Sequence, residues 1–195
     1  MNPQVAIIDS GGANIASLTF AFGRLGVESR LTEEPSVIRS STHVVLPGVG
    51  AAAPAMQRLR ERRLTNLIRT LAQPVLGICL GMHLLADRSE EDDAGCLGVI
   101  PAVARKLHAA PGAPVPNMGW CRVRQNESHP LFDGIPDDSY FYFVHSYALP
   151  AGDYSLATAM HASPMTAVAA CGNFVATQFH PERSSAAGAR LLGNF

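Results

Sequence analysis

The sequence carries almost no charge imbalance: fifteen Lys and Arg stand against sixteen Asp and Glu, a formal net charge of −1. That balance removes the usual electrostatic case for a nucleic-acid binder. No apolar run approaches the roughly 20 residues needed to cross a bilayer, so no membrane partner is expected. No basic residue precedes Arg24, which leaves the start without the charged n-region of a secretory signal. The four cysteines (Cys79, Cys96, Cys121 and Cys171) have no C-x-x-C spacing, which points away from a zinc site or a disulfide framework. There is no internal repeat, low-complexity tract or long linker. What is present is a chain of 195 residues that is 47% hydrophobic and only 16% charged. Such a chain is long and apolar enough to bury a core. A single domain over residues 1–195, located in the cytoplasm, is the expectation.

Val5 to Ile8 is a short apolar run leading into Asp9-Ser10-Gly11-Gly12, the pattern of a buried strand entering a turn. Asn14 is placed to cap a helix whose Ile15, Leu18, Phe22 and Leu25 share one face, with Gly26 as its stop. Val27–Leu31 and His43–Leu46 read as further strands, the latter ending in Pro47-Gly48-Val49-Gly50. From Ala52 to Leu71 the apolar spacing is helical, and Val75–Ile78 follows as a fourth buried strand before a helix over Gly81–Ala86. This alternation implies an α/β fold, an open and mostly parallel sheet flanked by helices, with active groups at the strands' carboxyl ends. Beyond about Asp92 the segments become short and β-like, at Val99–Ile100, Cys121–Arg124, Tyr140–Val144 and Leu156–Ala159. A hairpin is expected around Cys171-Gly172-Asn173, then a closing helix over Ala186–Phe195. The second half therefore adds antiparallel strands to the sheet.

Gly77-Ile78-Cys79-Leu80-Gly81 places a nucleophilic residue between a buried strand and a helix, with glycines two residues to either side. It is the cysteine counterpart of the strained G-x-S-x-G elbow. A thiol with its ordinary pKa near 8.5 is only about 3% ionised at pH 7, so the site has to stabilise the thiolate. Read by itself, the same stretch also suits a small buried cysteine at a strand end. A thiolate nucleophile needs a proton carrier, and that carrier needs orienting. His180-Pro181-Glu182 offers both, the proline fixing the backbone between imidazole and carboxylate. An acyl-transfer centre also requires two N–H donors for the oxyanion. The amide of Leu80 and the glycine loop ending at Gly50 are the candidates. Arg58, Arg60, Arg62 and Arg63 read as a solvated helix face, and the clusters Glu90–Asp93 and Asp137-Asp138 as surface. His83 lies four residues after Cys79 and either lines the same cleft or is an ordinary polar helix residue. His145, after an apolar run, reads as structural. Trp120 suits a core or an interface equally.

Taken together and in this order, the Pro-Gly-Val-Gly loop, the Gly-x-Cys-x-Gly elbow and His180-Pro181-Glu182 resemble the class I (triad) glutamine amidotransferases. The stretches Asp9–Asn14, Asn117-Met118-Gly119-Trp120, Tyr140–Tyr147 and His180–Ser184 narrow the similarity to glutaminase subunits of imidazole glycerol phosphate synthases. The resemblance implies a flavodoxin-like amidotransferase fold with no cofactor and no metal. It implies that Cys79 attacks the glutamine carboxamide, with His180 as acid and base and Glu182 orienting it. Gly50 and Leu80 would form the oxyanion hole, and His83, Glu91, Ser146 and Tyr147 would hold glutamine. Asn14, Asn117, Met118 and Trp120 would lie at the interface with a cyclase subunit that receives the ammonia in histidine biosynthesis. Two positions depart from the family pattern: His83 stands where glutamine is usual, and Cys121 where asparagine is usual. Other amidotransferase subunits, a γ-glutamyl hydrolase and a non-catalytic binding module are the competing readings.

Overall fold

A computed structural model describes residues 3–11 and 15–195 of the chain. The first half alternates strands and helices: β1 (Gln4–Ile8), α1 (Ile15–Arg24), β2 (Glu28–Thr32), α2 (Pro35–Ser40), β3 (His43–Gly48), α3 (Ala52–Glu61), α4 (Leu64–Arg69), β4 (Val75–Cys79) and α5 (Leu80–Leu85). The second half is mostly strands: β5 (Ala86–Ser89), β6 (Ala94–Gly95), β7 (Ile100–Lys106), β8 (Asn117–Gln125), β9 (Ser139–His145), β10 (Tyr147–Ala148), β11 (Ser155–His161), β12 (Ser163–Cys171) and β13 (Phe174–Thr177), closed by α6 (Ser185–Asn194). Nine strands form one sheet in the order β2-β1-β3-β4-β13-β12-β11-β8-β9. The first five are parallel and the remaining pairings antiparallel. A smaller sheet runs β10-β7-β5-β6.

Period-two alternation divides the core. Val5 and Ile7 of β1 pack with Leu18, Ala21 and Phe22 of α1 and with Leu192 of α6. Ala6 and Ile8 point the other way, into a cluster fed by α2, α3, α4 and α5. Every residue of β4 is buried, as expected for a central parallel strand covered on both faces. A third cluster, built on Phe141, Phe143 and Phe179, fills the antiparallel half.

The long helix expected over Ala52–Leu71 is two helices. The chain turns at Arg62 and Arg63, the latter left-handed at φ +56°, while the apolar spacing continues through the break because Leu59 and Leu64 both enter the same cluster. Gly26, at φ +72°, ends α1 as expected. The Val27 amide bonds back to the Phe22 carbonyl there, the signature of a glycine-terminated helix. Leu25 falls beyond the last turn of α1 and is exposed. The cap expected at Asn14 lies outside the described residues.

Candidate active site

β4 delivers Cys79 to the carboxyl edge of the sheet in a strained conformation, φ +52° and ψ −107°. Contacts explain the flanking glycines. A Cβ on Gly81 would sit 1.8 Å from the Leu46 carbonyl oxygen, and one on Gly77 2.8 Å from Leu85 Cδ1 and 3.0 Å from the Gly81 carbonyl. The elbow thus folds flat against the end of β3, where Gly48 pairs with Cys79. Ser10 steadies that neighbouring segment, its hydroxyl donating to the Pro47 carbonyl at 2.6 Å.

β13 lies beside β4 in parallel, Thr177 opposite Ile78, so the chain leaving β13 emerges at the same edge as the cysteine. There Phe179 is buried against Phe141 (centroids 4.1 Å apart) and Phe143 (5.6 Å). The His180 amide donates to the Tyr142 carbonyl at 2.9 Å. Ser184 completes the fastening: its hydroxyl donates to the His180 carbonyl at 2.6 Å and accepts from the Tyr142 amide at 3.0 Å. The His180 and Glu182 side chains are both buried, with Nδ1 2.9 Å from Oε1. The carboxylate accepts from Nδ1–H and leaves Nε2 with no hydrogen-bond partner on the cleft side. Burial acts to lower the His180 pKa, but the Cys79 sulfur and then the Glu182 carboxylate outweigh it and carry it up to about 10. The imidazole is therefore set up to hold a proton beside sulfur.

Cys79 and His180 open into a cleft of about 440 Å³. Gly50 (φ +89°), Leu80, His83, Glu91, Ser146 and Tyr147 line it, so each residue expected at the oxyanion or the substrate borders one space. His83 is buried, its Nε2 2.9 Å from Gln178 Oε1. Burial lowers its pKa, opposed by Gln178 and the Tyr147 backbone. Glu91 is pushed up, chiefly by burial, while the Ala52 amide pulls the other way. Among the described residues, no group of three or more His, Cys, Asp or Glu comes together as a metal site.

The class-I glutamine amidotransferase family model matches residues 6–195. The chain belongs to that family. Among its relatives, "Imidazole glycerol phosphate synthase subunit HisH" of Vibrio cholerae is 47% identical, over 100% of this chain and 98% of its own length. "Imidazole glycerol phosphate synthase subunit HisH 2" of Legionella pneumophila is 49% identical, over 98% and 96%. Among solved structures, a crystal structure titled as a glutamine amidotransferase superposes with a TM-score of 0.72 at 19% identity, covering 96% of this chain and 94% of that one. The structure of PurLQS from Thermotoga maritima gives 0.74 at 15% identity, over 100% and 97%. At such identities the structures speak to the fold alone, which is the α/β amidotransferase fold expected from sequence.

Elsewhere on this amidotransferase, Met118 and Trp120 project from the outer face of β8 and are 64% and 52% exposed. Tyr140, the first residue of the Tyr140–Val144 segment, and Met160, unremarked in the sequence, extend the same apolar patch at 50% and 65% exposure. A hollow of about 680 Å³ lies along this face. Asn117 borders the hollow, but its side chain is buried, its Nδ2 donating to His145 Nε2 at 3.0 Å. His145 Nδ1–H in turn donates to the Tyr147 carbonyl at 2.8 Å. With one nitrogen donating and the other accepting, His145 is held neutral, and burial takes its pKa down to about 3. The position expected for Asn14 at a partner interface lies outside the described residues. The arginine run is a surface feature as read, although three of its members tie the surface together: Arg58 to Asp9 (3.3 Å), Arg60 to the Gly95 carbonyl (2.8 Å) and Arg62 to Glu33 (3.0 Å). Gln178, whose amide reaches both His83 and the Cys79 sulfur, was not singled out from the sequence. Its only signal there was a polar side chain inside an apolar strand.

Proposed function

We infer that this chain is the glutaminase subunit of an imidazole glycerol phosphate synthase, hydrolysing glutamine and passing ammonia to a cyclase partner in histidine biosynthesis. The observation that carries the chemistry is the meeting of Cys79, at the end of β4, with a Glu182-held His180, at the end of β13. Full-length similarity to HisH subunits supports the choice of pathway.

In this reading the Cys79 sulfur attacks the carboxamide carbon of glutamine while its proton passes to His180 Nε2. The amides of Leu80 and the Gly50 loop stabilise the oxyanion. Collapse breaks the C–N bond, and His180 returns the proton to the departing nitrogen, which leaves as ammonia. His180 then removes a proton from water as the water attacks the thioester, releasing glutamate and restoring the thiol. Glu182 keeps Nδ1 protonated throughout, so Nε2 is the nitrogen that works. Glu91, Ser146 and Tyr147 border the cleft where the amino-acid end of glutamine would rest, with His83 at its floor. The Met118 and Trp120 face, enlarged by Tyr140 and Met160, is the surface offered to the cyclase. The chain acts as one amidotransferase domain over residues 1–195, and a cytoplasmic location suits a biosynthetic enzyme. No helix among the described residues is long and apolar enough to cross a membrane.

Glutamate release measured with the cyclase present tests the assignment. Cys79→Ala should abolish it while leaving the fold and the complex intact. Retained hydrolysis in that variant refutes the mechanism.

A further inference from the structure

Gln178 lies two residues before His180 and is fully buried. Both ends of its amide are engaged. Oε1 faces His83 Nε2 at 2.9 Å, and Nε2 donates toward the Cys79 sulfur at 3.9 Å. An amide oxygen only accepts, so the His83 nitrogen facing it carries the proton. With Oε1 occupied in this way, the NH₂ end is turned to the sulfur. Reversal of the amide would aim a carbonyl oxygen at Cys79 and leave two N–H donors facing an imidazole N–H. His83 thus decides which end of Gln178 the nucleophile meets.

We propose that Gln178 is a positioning residue for the nucleophile, its amide N–H stabilising the Cys79 sulfur as an anion, and that His83 fixes that amide's orientation. An N–H donor directed at sulfur favours thiolate over thiol, and a buried site strengthens the preference because water does not compete. His83 is committed through Nε2 to this task, and the Tyr147 backbone is a second protein partner of the same ring. The remaining titratable groups around the sulfur are His180 with Glu182 from the segment after β13, His145 from β9, Tyr147 from β10, and Glu91 across the cleft. His145 is held neutral by its two hydrogen bonds. Gln178 is thus the donor that reaches the sulfur from the segment following β13, while the Val144 carbonyl of β9 lies within reach of the thiol, also at 3.9 Å.

The inference rests on the reading of Cys79 as nucleophile, and one experiment separates the two. The rate of alkylation of Cys79 by iodoacetamide is followed against pH, read by mass on the peptide containing Cys79, with neither glutamine nor partner present. Gln178→Met keeps the length and removes the donor, and should raise the midpoint of the profile by about one pH unit, tenfold in thiolate fraction. Gln178→Glu, which places a negative charge there, should raise it further. His83→Phe frees the amide and should shift the midpoint in the same direction, whereas His83→Gln keeps a donor for Oε1 and should restore it. A folded Gln178→Met protein with an unmoved midpoint overturns the proposal. If that variant does not fold, equal midpoints for His83→Phe and His83→Gln overturn it. Cys96, whose thiol burial pushes up to about 11, is the internal reference. Should Cys79 of the unaltered protein alkylate no faster than Cys96 at pH 7, the nucleophile assignment itself fails.

Discussion

The elbow's cost is measurable by comparing Cys79→Ala with Cys79→Gly. Both variants remove the sulfur and its contacts to Gln178 and the Val144 carbonyl, so those losses cancel between them. What differs is the backbone. Cys79 occupies φ +52°, ψ −107°, a conformation that a side-chain-bearing residue holds at a cost of about 1–3 kcal/mol and that glycine adopts freely. Glycine loses about 0.5–1 kcal/mol more than alanine in chain entropy on folding. The middles of the two ranges, about 2 kcal/mol of strain against about 0.75 kcal/mol of chain entropy, leave Cys79→Gly more stable than Cys79→Ala by about 1.25 kcal/mol, the reverse of the usual order inside regular structure. For a chain of this size each kcal/mol moves Tm by about 2–4 °C, so the glycine variant should melt about 3–5 °C higher. Urea unfolding and calorimetry on the pair, under conditions without glutamine, supply the comparison. An alanine variant as stable as the glycine variant, or more so, would refute the claim that strain is stored at the nucleophile.

Gly81→Ala should cost more than about 3 kcal/mol and abolish glutaminase activity, because its new methyl would lie 1.8 Å from the Leu46 carbonyl; soluble expression and a melting curve check this. Glu182→Gln should lower kcat less than His180→Ala does, since the carboxylate orients and the imidazole reacts; equal losses would contradict those roles. Acid stability should report His145. Its folded pKa of about 3 lies below the unfolded value near 6.5, so its contribution is present above about pH 6.5 and is lost as the pH falls toward 3. Between pH 6.5 and 4.5 that loss is about 2 kcal/mol, and a His145→Gln variant should show an acid-side slope flatter by this amount in urea titrations. His180 adds nothing to that window. With its pKa raised to about 10, it contributes fully below about pH 6.5 and is lost progressively as the pH rises from there through 10.

The elbow was legible because contacts dictate its glycines: a Cβ at 81 would collide with the Leu46 carbonyl, and one at 77 would crowd Leu85 and the Gly81 carbonyl. His180 and Glu182 were legible for a related reason, being two residues apart with a proline that limits how they can face. The parallel half of the sheet followed from the alternation of apolar runs with helical spacing. What escaped notice depends on residues distant in sequence. The break at Arg63 is invisible to periodicity, since the apolar stripe resumes in register on its far side. The strands β5, β6 and β10 are too short to carry a pattern, and tertiary pairing alone makes them strands. Gln178 becomes meaningful only through His83, 95 residues away. Asn117, read as an interface residue, turns inward because His145 across the β8–β9 pair needs a donor.

The placement of β13 has a consequence for how the protein comes to life. The strand is the thirteenth to be synthesised, yet it inserts at the middle of the nine-stranded sheet, between β4 and β12. Until it docks, an emerging chain holds its reactive sulfur without the Glu182-held imidazole of His180. Pairings between such remote stretches close late and slowly. Competence therefore arrives in one step with the final zippering of the sheet, and a ribosome-bound fragment ending before Phe174 is chemically silent toward the cell's glutamine.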